Sequence, residues 1–280
     1  MSATESAALP LNIRDIEVRG AVDAQAARVY TAGAAGLKRD SVVVFFHGGG
    51  FVAGDLDEAD QFLRHLVQSN PEKIVLATNY TLATVHPFPA AVEDAHAVLV
   101  WAKKNKTKLG WTGKQMVVAG IEAGANLAAV CALMSRDRGG PALAGQILIM
   151  PMLDPGLTTC SMRAMPAPEL AEVADACAAA YRGYLPNASD RTHPYASPLQ
   201  SSRLKNLPPA LILSAEDDPL RDEAEQYGAK LISCGVETTV HRLPPAPLQE
   251  PGARNECACR VHALGAIAGF FAGLDQEPPA

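Results

Sequence analysis

"VVAGIEAGANLAA", residues 117–129, passes from an apolar, β-branched run through a glycine-bracketed turn into an alanine-rich stretch at helical period. That is a strand, a sharp turn and a helix. At the apex stands Glu122, with Gly120 and Gly124 on either side of it. Outward from this turn the same alternation recurs along the chain. Strands are expected at 40–47, 73–80, 115–120, 145–151, 209–216 and 237–243, and helices at 57–70, 87–105, 124–137, 222–235 and 255–274. Several of the strands are apolar throughout, as strands covered on both faces should be. The fold class is therefore α/β, a mostly parallel twisted sheet of about eight strands with helices on both faces. "IRDIEVRG" and "AARVYTA", before the first strong strand, read as an antiparallel edge hairpin. The stretch 156–200 breaks the alternation and reads as a helical cap inserted into a single domain spanning 1–280.

Composition narrows the function classes. With 48% apolar and 19% charged residues the chain can bury a sizeable core. A formal charge of −6 supplies no basic field for nucleic acid, so a small or uncharged ligand is the expected partner. The start, "MSATESAALPLNIRD", shows no basic segment leading into an apolar one, and "ALGAIAGFFAGL" is too short to span a bilayer; no membrane partner is expected, and the reading is cytoplasmic. Six scattered cysteines suggest reduced packing residues rather than a disulfide framework. Cys257, Cys259 and His262 lie close together, but the spacing departs from the usual zinc pattern, so no metal and no cofactor is expected.

"HGGGFVAGD", 47–55, puts three consecutive glycines between a strand and a helix, where free backbone N–H groups can face a ligand. Such donors can stabilise an oxyanion. Here the chain resembles the hormone-sensitive-lipase-like family of α/β-hydrolases, the carboxylesterases with an HGGG loop. "NYTLATVHPFPAAVEDA" is similar to the family's NYRLAPEHPFPAAVEDA, and "GIEAGANLAA" stands where the family has GDSAGGNLAA. "ILIMPMLD", "ASPL" and "LPPALILSAEDDPLRDEAEQYGAKLISCGVE" continue the likeness over nearly the whole chain. The resemblance implies oxyanion donors at the backbone N–H groups of Gly49, Gly50 and Ala123. It also implies a pocket loop opened by His47 and Gly48, and a triad acid at Asp218.

Two positions depart from the family. The nucleophile's seat in G-x-S-x-G is Glu122, so the hydroxyl that acyl transfer requires is gone while the turn is kept. The family's Y-P-G-x-x-H-G-F stretch aligns with Leu243 to Glu250, which puts Leu248 in the base position. An insertion or deletion in this proline-rich segment would move that match, yet no histidine lies between His241 and His262. Loss of both groups should lower a serine-esterase cycle by roughly a million-fold. Two lesser departures are Thr81 and Val85, in place of the family's Arg and Glu, and a segment before HGGG that is short for the family.

The expectation is a carboxylesterase or lipase homologue inactive as a serine esterase, whose oxyanion-type pocket binds a small apolar or ester-like ligand, or a partner. A homodimer is compatible with it. The gibberellin receptors, which resemble these esterases and bind a hormone in a triad-deficient pocket, are a precedent in kind. The alternatives are altered chemistry with Glu122 as general acid or base, as in a lyase, isomerase or dehydratase, or weak hydrolysis by glutamate-activated water. Glu122 among donors built for negative charge is then either their occupant or a repurposed acid/base. For Asp218 a capping role in the Asp-Pro turn is favoured over an orienting one.

Overall fold

The computed structural model describes residues 9–34, 36–163, 168–245 and 252–276. Among these residues eight strands form one sheet: β1 (Leu11–Arg19), β2 (Ala24–Ala32), β3 (Arg39–Phe46), β4 (Lys73–Thr78), β5 (Trp111–Ile121), β6 (Gly145–Ile149), β7 (Ala210–Ala215) and β8 (Thr238–Leu243). Their order is β1-β2-β4-β3-β5-β6-β7-β8. The expected hairpin supplies the antiparallel edge, β1 to β2 and β2 to β4, and every later pairing is parallel. All residues of β4, β6 and β7 are buried, in accord with their largely apolar sequences.

The helices are α1 (Asp60–Ser69), α2 (Ala90–Lys104), α3 (Lys106–Leu109), α4 (Ala123–Arg138), α5 (Cys160–Arg163), α6 (Pro168–Tyr184), α7 (Arg221–Ser233), α8 (Ala253–Ala258) and α9 (Val261–Asp275). One face of the sheet packs on α2, α4 and α7 through residues such as Val44, Leu99, Leu127, Ile212 and Tyr227. The other packs on α1, α8 and α9 through Val43, Phe62, Ile147, Ile267 and Phe271. Among the described residues no helix is long and apolar enough to cross a membrane.

Most ends shift by one to three residues from the sequence expectation, and two boundaries differ more. Strand β5 starts four residues early, at Trp111, because that ring is buried and its residue pairs with Arg39 of β3. The single helix expected over 255–274 is two, since Arg260 is extended (φ −68, ψ 150) and the chain restarts there as α9. The break separates α8, which carries Arg254, from α9.

Helix α4 lies unusually close to the sheet. A Cβ on Gly124 would collide with the carbonyl oxygens of Phe46 and His47 in β3 and the loop after it, and one on Gly120 would collide with Gly124 itself. Neither neighbour can yield, because both are backbone. Gly124→Ala is expected to cost about 1–3 kcal/mol, as overpacking does; urea denaturation reading an unchanged midpoint would contradict this account of the turn.

Candidate active site

Glu122 is the last residue before α4 and has φ 55 and ψ −113, a conformation that a non-glycine residue holds only when its surroundings over-determine it. Three backbone bonds hold it. Its N–H donates to Ile149 O at the end of β6, and its carbonyl accepts from Asn126 N–H and from Met152 N–H. The side chain is thereby thrust out above the C-terminal ends of the strands, 17% exposed. It makes no capping bond to its own helix.

The carboxylate instead reaches the glycine loop. Gly49 N–H donates to Glu122 Oε2 at 2.9 Å, so of the three expected oxyanion donors, Gly49, Gly50 and Ala123, it is Gly49 that engages the carboxylate. Gly48 leaves room for this carboxylate, since a Cβ there would stand 2.8 Å from the same oxygen and displace it. His47 is buried, stacked on Tyr80 with ring centroids 4.4 Å apart, and burial lowers its pKa from the ordinary value. The Tyr80 hydroxyl donates to the carbonyls of His47 and Gly48 and so braces the loop. From above, α6 closes down: Ala180 lies against Gly50, and Phe51 stacks on Tyr184 at 3.8 Å.

Asp218 follows β7 and is fully buried. One oxygen accepts the N–H of Leu220, the turn bond expected of an Asp-Pro sequence. Both oxygens are also held by Arg254 of α8, with Nη2 to Oδ1 at 3.0 Å and Nε to Oδ2 at 3.2 Å. Arg254 Nη1 stands 3.7 Å from Glu122 Oε1 on the other side. Burial opposes the Arg254 charge, but Asp218 first and Glu122 next outweigh it and hold the guanidinium above its usual range. The result is a chain of alternating charge, Asp218, Arg254, Glu122, where a triad would have acid, base and nucleophile. Cys177 of α6 senses these charges from above, although burial dominates and pushes its thiol up to about 12.

Leu248, expected in the base position, lies outside the described residues. His241 and His262 are exposed, on β8 and α9. The residue that sequence reasoning missed is Arg254. A signal existed: "PGARNE" offers a Pro-Gly at 251–252, a second candidate for the family's Y-P-G-x-x-H, and matching it there puts Asn255 in the histidine's place with Arg254 just before it. Thr81 donates its N–H to Asp94, while Val85 is 67% exposed. Cys257 is buried whereas His262 is exposed, and among the described residues no group of three His, Cys, Asp or Glu is arranged to hold a metal.

Comparison with known proteins agrees with this architecture. A family described as the alpha/beta hydrolase fold matches residues 43–247. Esterase LipI of Mycobacterium tuberculosis is 40% identical over 211 residues, 71% of this chain and 62% of LipI. An arylesterase of Saccharolobus solfataricus is 32% identical over 204 residues, 73% of this chain and 66% of its own. The chain belongs to the hormone-sensitive-lipase-like carboxylesterase family of α/β-hydrolases. In structure, this carboxylesterase-family chain is similar to EstE1, a thermostable carboxylesterase cloned from a metagenomic library, with TM-score 0.87 and 31% identity over 96% of this chain and 91% of EstE1. It is also similar to a hyperthermophilic esterase from Pyrobaculum calidifontis, with TM-score 0.83 and 38% identity over 95% of this chain and 86% of that one. The match spans only about three-fifths of LipI's own length.

Beside the site, Glu223 of α7 is fully buried, with Oε1 accepting the Leu153 N–H at 2.8 Å and Oε2 unpartnered among the described residues. Burial first, then Asp154 and Asp218, raise its pKa well above 4.5. A carboxyl raised on folding stabilises fully below its unfolded pKa and loses that contribution as pH climbs through the folded one. The wild type should therefore lose Tm relative to Glu223→Gln as pH rises from 4.5 to 8; a constant gap between the two proteins would refute the assignment. For the charge chain, Asp218→Ala should cost about 3–5 kcal/mol because it strands the buried guanidinium, whereas Asp218→Leu with Arg254→Met should recover much of the loss. Equal urea midpoints for the two variants would count against a buried ion pair.

Proposed function

We propose that this carboxylesterase-family chain does not run the acyl-enzyme cycle and uses the former ester site to bind a small, fairly apolar ligand. The observation that carries the reading is Arg254, bonded to Asp218 and paired with Glu122. A histidine in that place takes a proton from the nucleophile and returns it to the leaving group. A guanidinium cannot, since it stays protonated at any working pH. No proton relay therefore runs from Asp218 to residue 122, which also weakens the general acid/base alternative for Glu122. At the other end, the Glu122 carboxylate engages the Gly49 N–H, a donor that an ester's oxyanion would need. That donor is taken by the protein's own anion, in the way a carboxylic acid product would take it, and the apolar part of the site is left to a ligand.

Purified protein should hydrolyse p-nitrophenyl butyrate no faster than buffer, and Glu122→Ala should not change that. Turnover by the wild type that disappears in Glu122→Ala would overturn the proposal. Replacing both seats, Glu122→Ser with Arg254→His, should raise hydrolysis at least about 100-fold over either single variant, because nucleophile and base act only together. Ethyl butyrate, offered as an ester-like probe, should raise the wild-type Tm without being consumed.

A further inference from the structure

At the opposite end of the strands from Glu122, the sequence "KKNKTKLG", 103–110, puts Lys103, Lys104, Lys106 and Lys108 into a chain whose formal charge is −6. The run closes α2, forms α3 and turns at Gly110, which has φ 78, into β5. Between α3 and the β1–β2 edge lies a groove of about 670 Å³, lined among others by Arg14, Lys38, Arg39, Lys108, Asn12 and Thr107. Among the described residues lining it there is no aspartate and no glutamate.

The cations of this groove differ from the paired arginines elsewhere in the fold. Arg28, Arg138, Arg242 and Arg254 are each held by carboxylates. Among the described residues none of Arg14, Lys38, Arg39 and Lys108 has a carboxylate within ion-pair distance. Arg14 donates to the Lys108 carbonyl at 2.7 Å, and the Lys108 ammonium lies over the Trp101 ring at 5.4 Å. Arg39 is only 7% exposed, and its three bonds go to the carbonyl oxygens of Pro71, Leu37 and Ala32. Carbonyls satisfy its N–H groups but cancel none of its charge. A concave surface over a buried, uncancelled guanidinium concentrates positive potential.

We propose that this groove binds a small ligand bearing clustered phosphate groups. Its volume falls in the range of small-molecule sites, about 300–1,000 Å³. Lys38 and Lys108 supply point charges, Arg14 a planar fork, and Asn12 and Thr107 neutral donors, which together suit an anion of several charges and many acceptor oxygens. The site is independent of the Glu122 reading, since it shares no residue with it.

The chain's two tryptophans report on the groove. Trp101 lies under Lys108, and Trp111 follows Gly110, which lines the groove. Inorganic tripolyphosphate, titrated into full-length protein at low salt, should give a saturable change in tryptophan fluorescence and a rise in Tm. Both should weaken at least about 10-fold in Lys38→Ala with Lys108→Ala, fade with added salt, and persist in Lys205→Ala, an exposed lysine elsewhere. Because Lys108→Ala alters the environment of Trp101, the Tm shift is the deciding readout for that variant. The proposal is overturned by no saturable binding, by equal loss in the Lys205 variant, by citrate binding as tightly as tripolyphosphate, or by tighter binding to phosphatidylserine vesicles.

Discussion

The close seating of α4 against β3 and β5 is the constraint on which the rest of this molecule depends. With no side chain at Gly120 or Gly124, helix and strand approach until backbone meets backbone. The chain can then turn from β5 into α4 within a single residue. That residue takes the strained conformation of Glu122, and its N–H and carbonyl are tied to the ends of β6 and to the loop beyond it. Every other part of the site is placed relative to this corner: the glycine loop after β3, the Asp218 turn after β7, and α8.

Given that corner, the chemistry of the site follows from charge. A neutral serine and a neutral histidine would ask little of a buried carboxylate at Asp218. Glutamate at 122 and arginine at 254 are both charged, and each makes the other tolerable. A glutamate alone would add a second carboxylate near buried Asp218, whereas Arg254 pairs with Asp218 and extends that pairing to Glu122. Arranged as Asp218, Arg254 and Glu122, every charge has an opposite beside it, and the Gly49 N–H takes up an oxygen of the terminal carboxylate. Charge balance therefore couples the two residues to each other and to Asp218.

Most of the architecture was legible because it is written in local patterns. Unbroken apolar runs marked the central strands, alternation marked the edge hairpin, and the glycines of "HGGG" and "GIEAG" marked the two tight connections. Legibility failed at two kinds of place. Trp111 and the residues after it look unlike a strand, yet burial of the indole and pairing with Arg39 extend β5 to include them. The segment between β8 and α8 carries "LPP" and "EPG", two proline-containing candidates for one family motif, and local sequence offers no reason to prefer either.

By itself the sequence determined the fold, the elbow and the loss of serine from it, since strand, glycine turn and helix are set by neighbours a few residues apart. Only the tertiary structure decided what stands beside Asp218. Arg254 is 36 residues from Asp218 along the chain, on a separate helix, and meets it only in the folded molecule. Long-range ion pairing depends on where separate elements end in space, and no residue pattern within either element records that meeting.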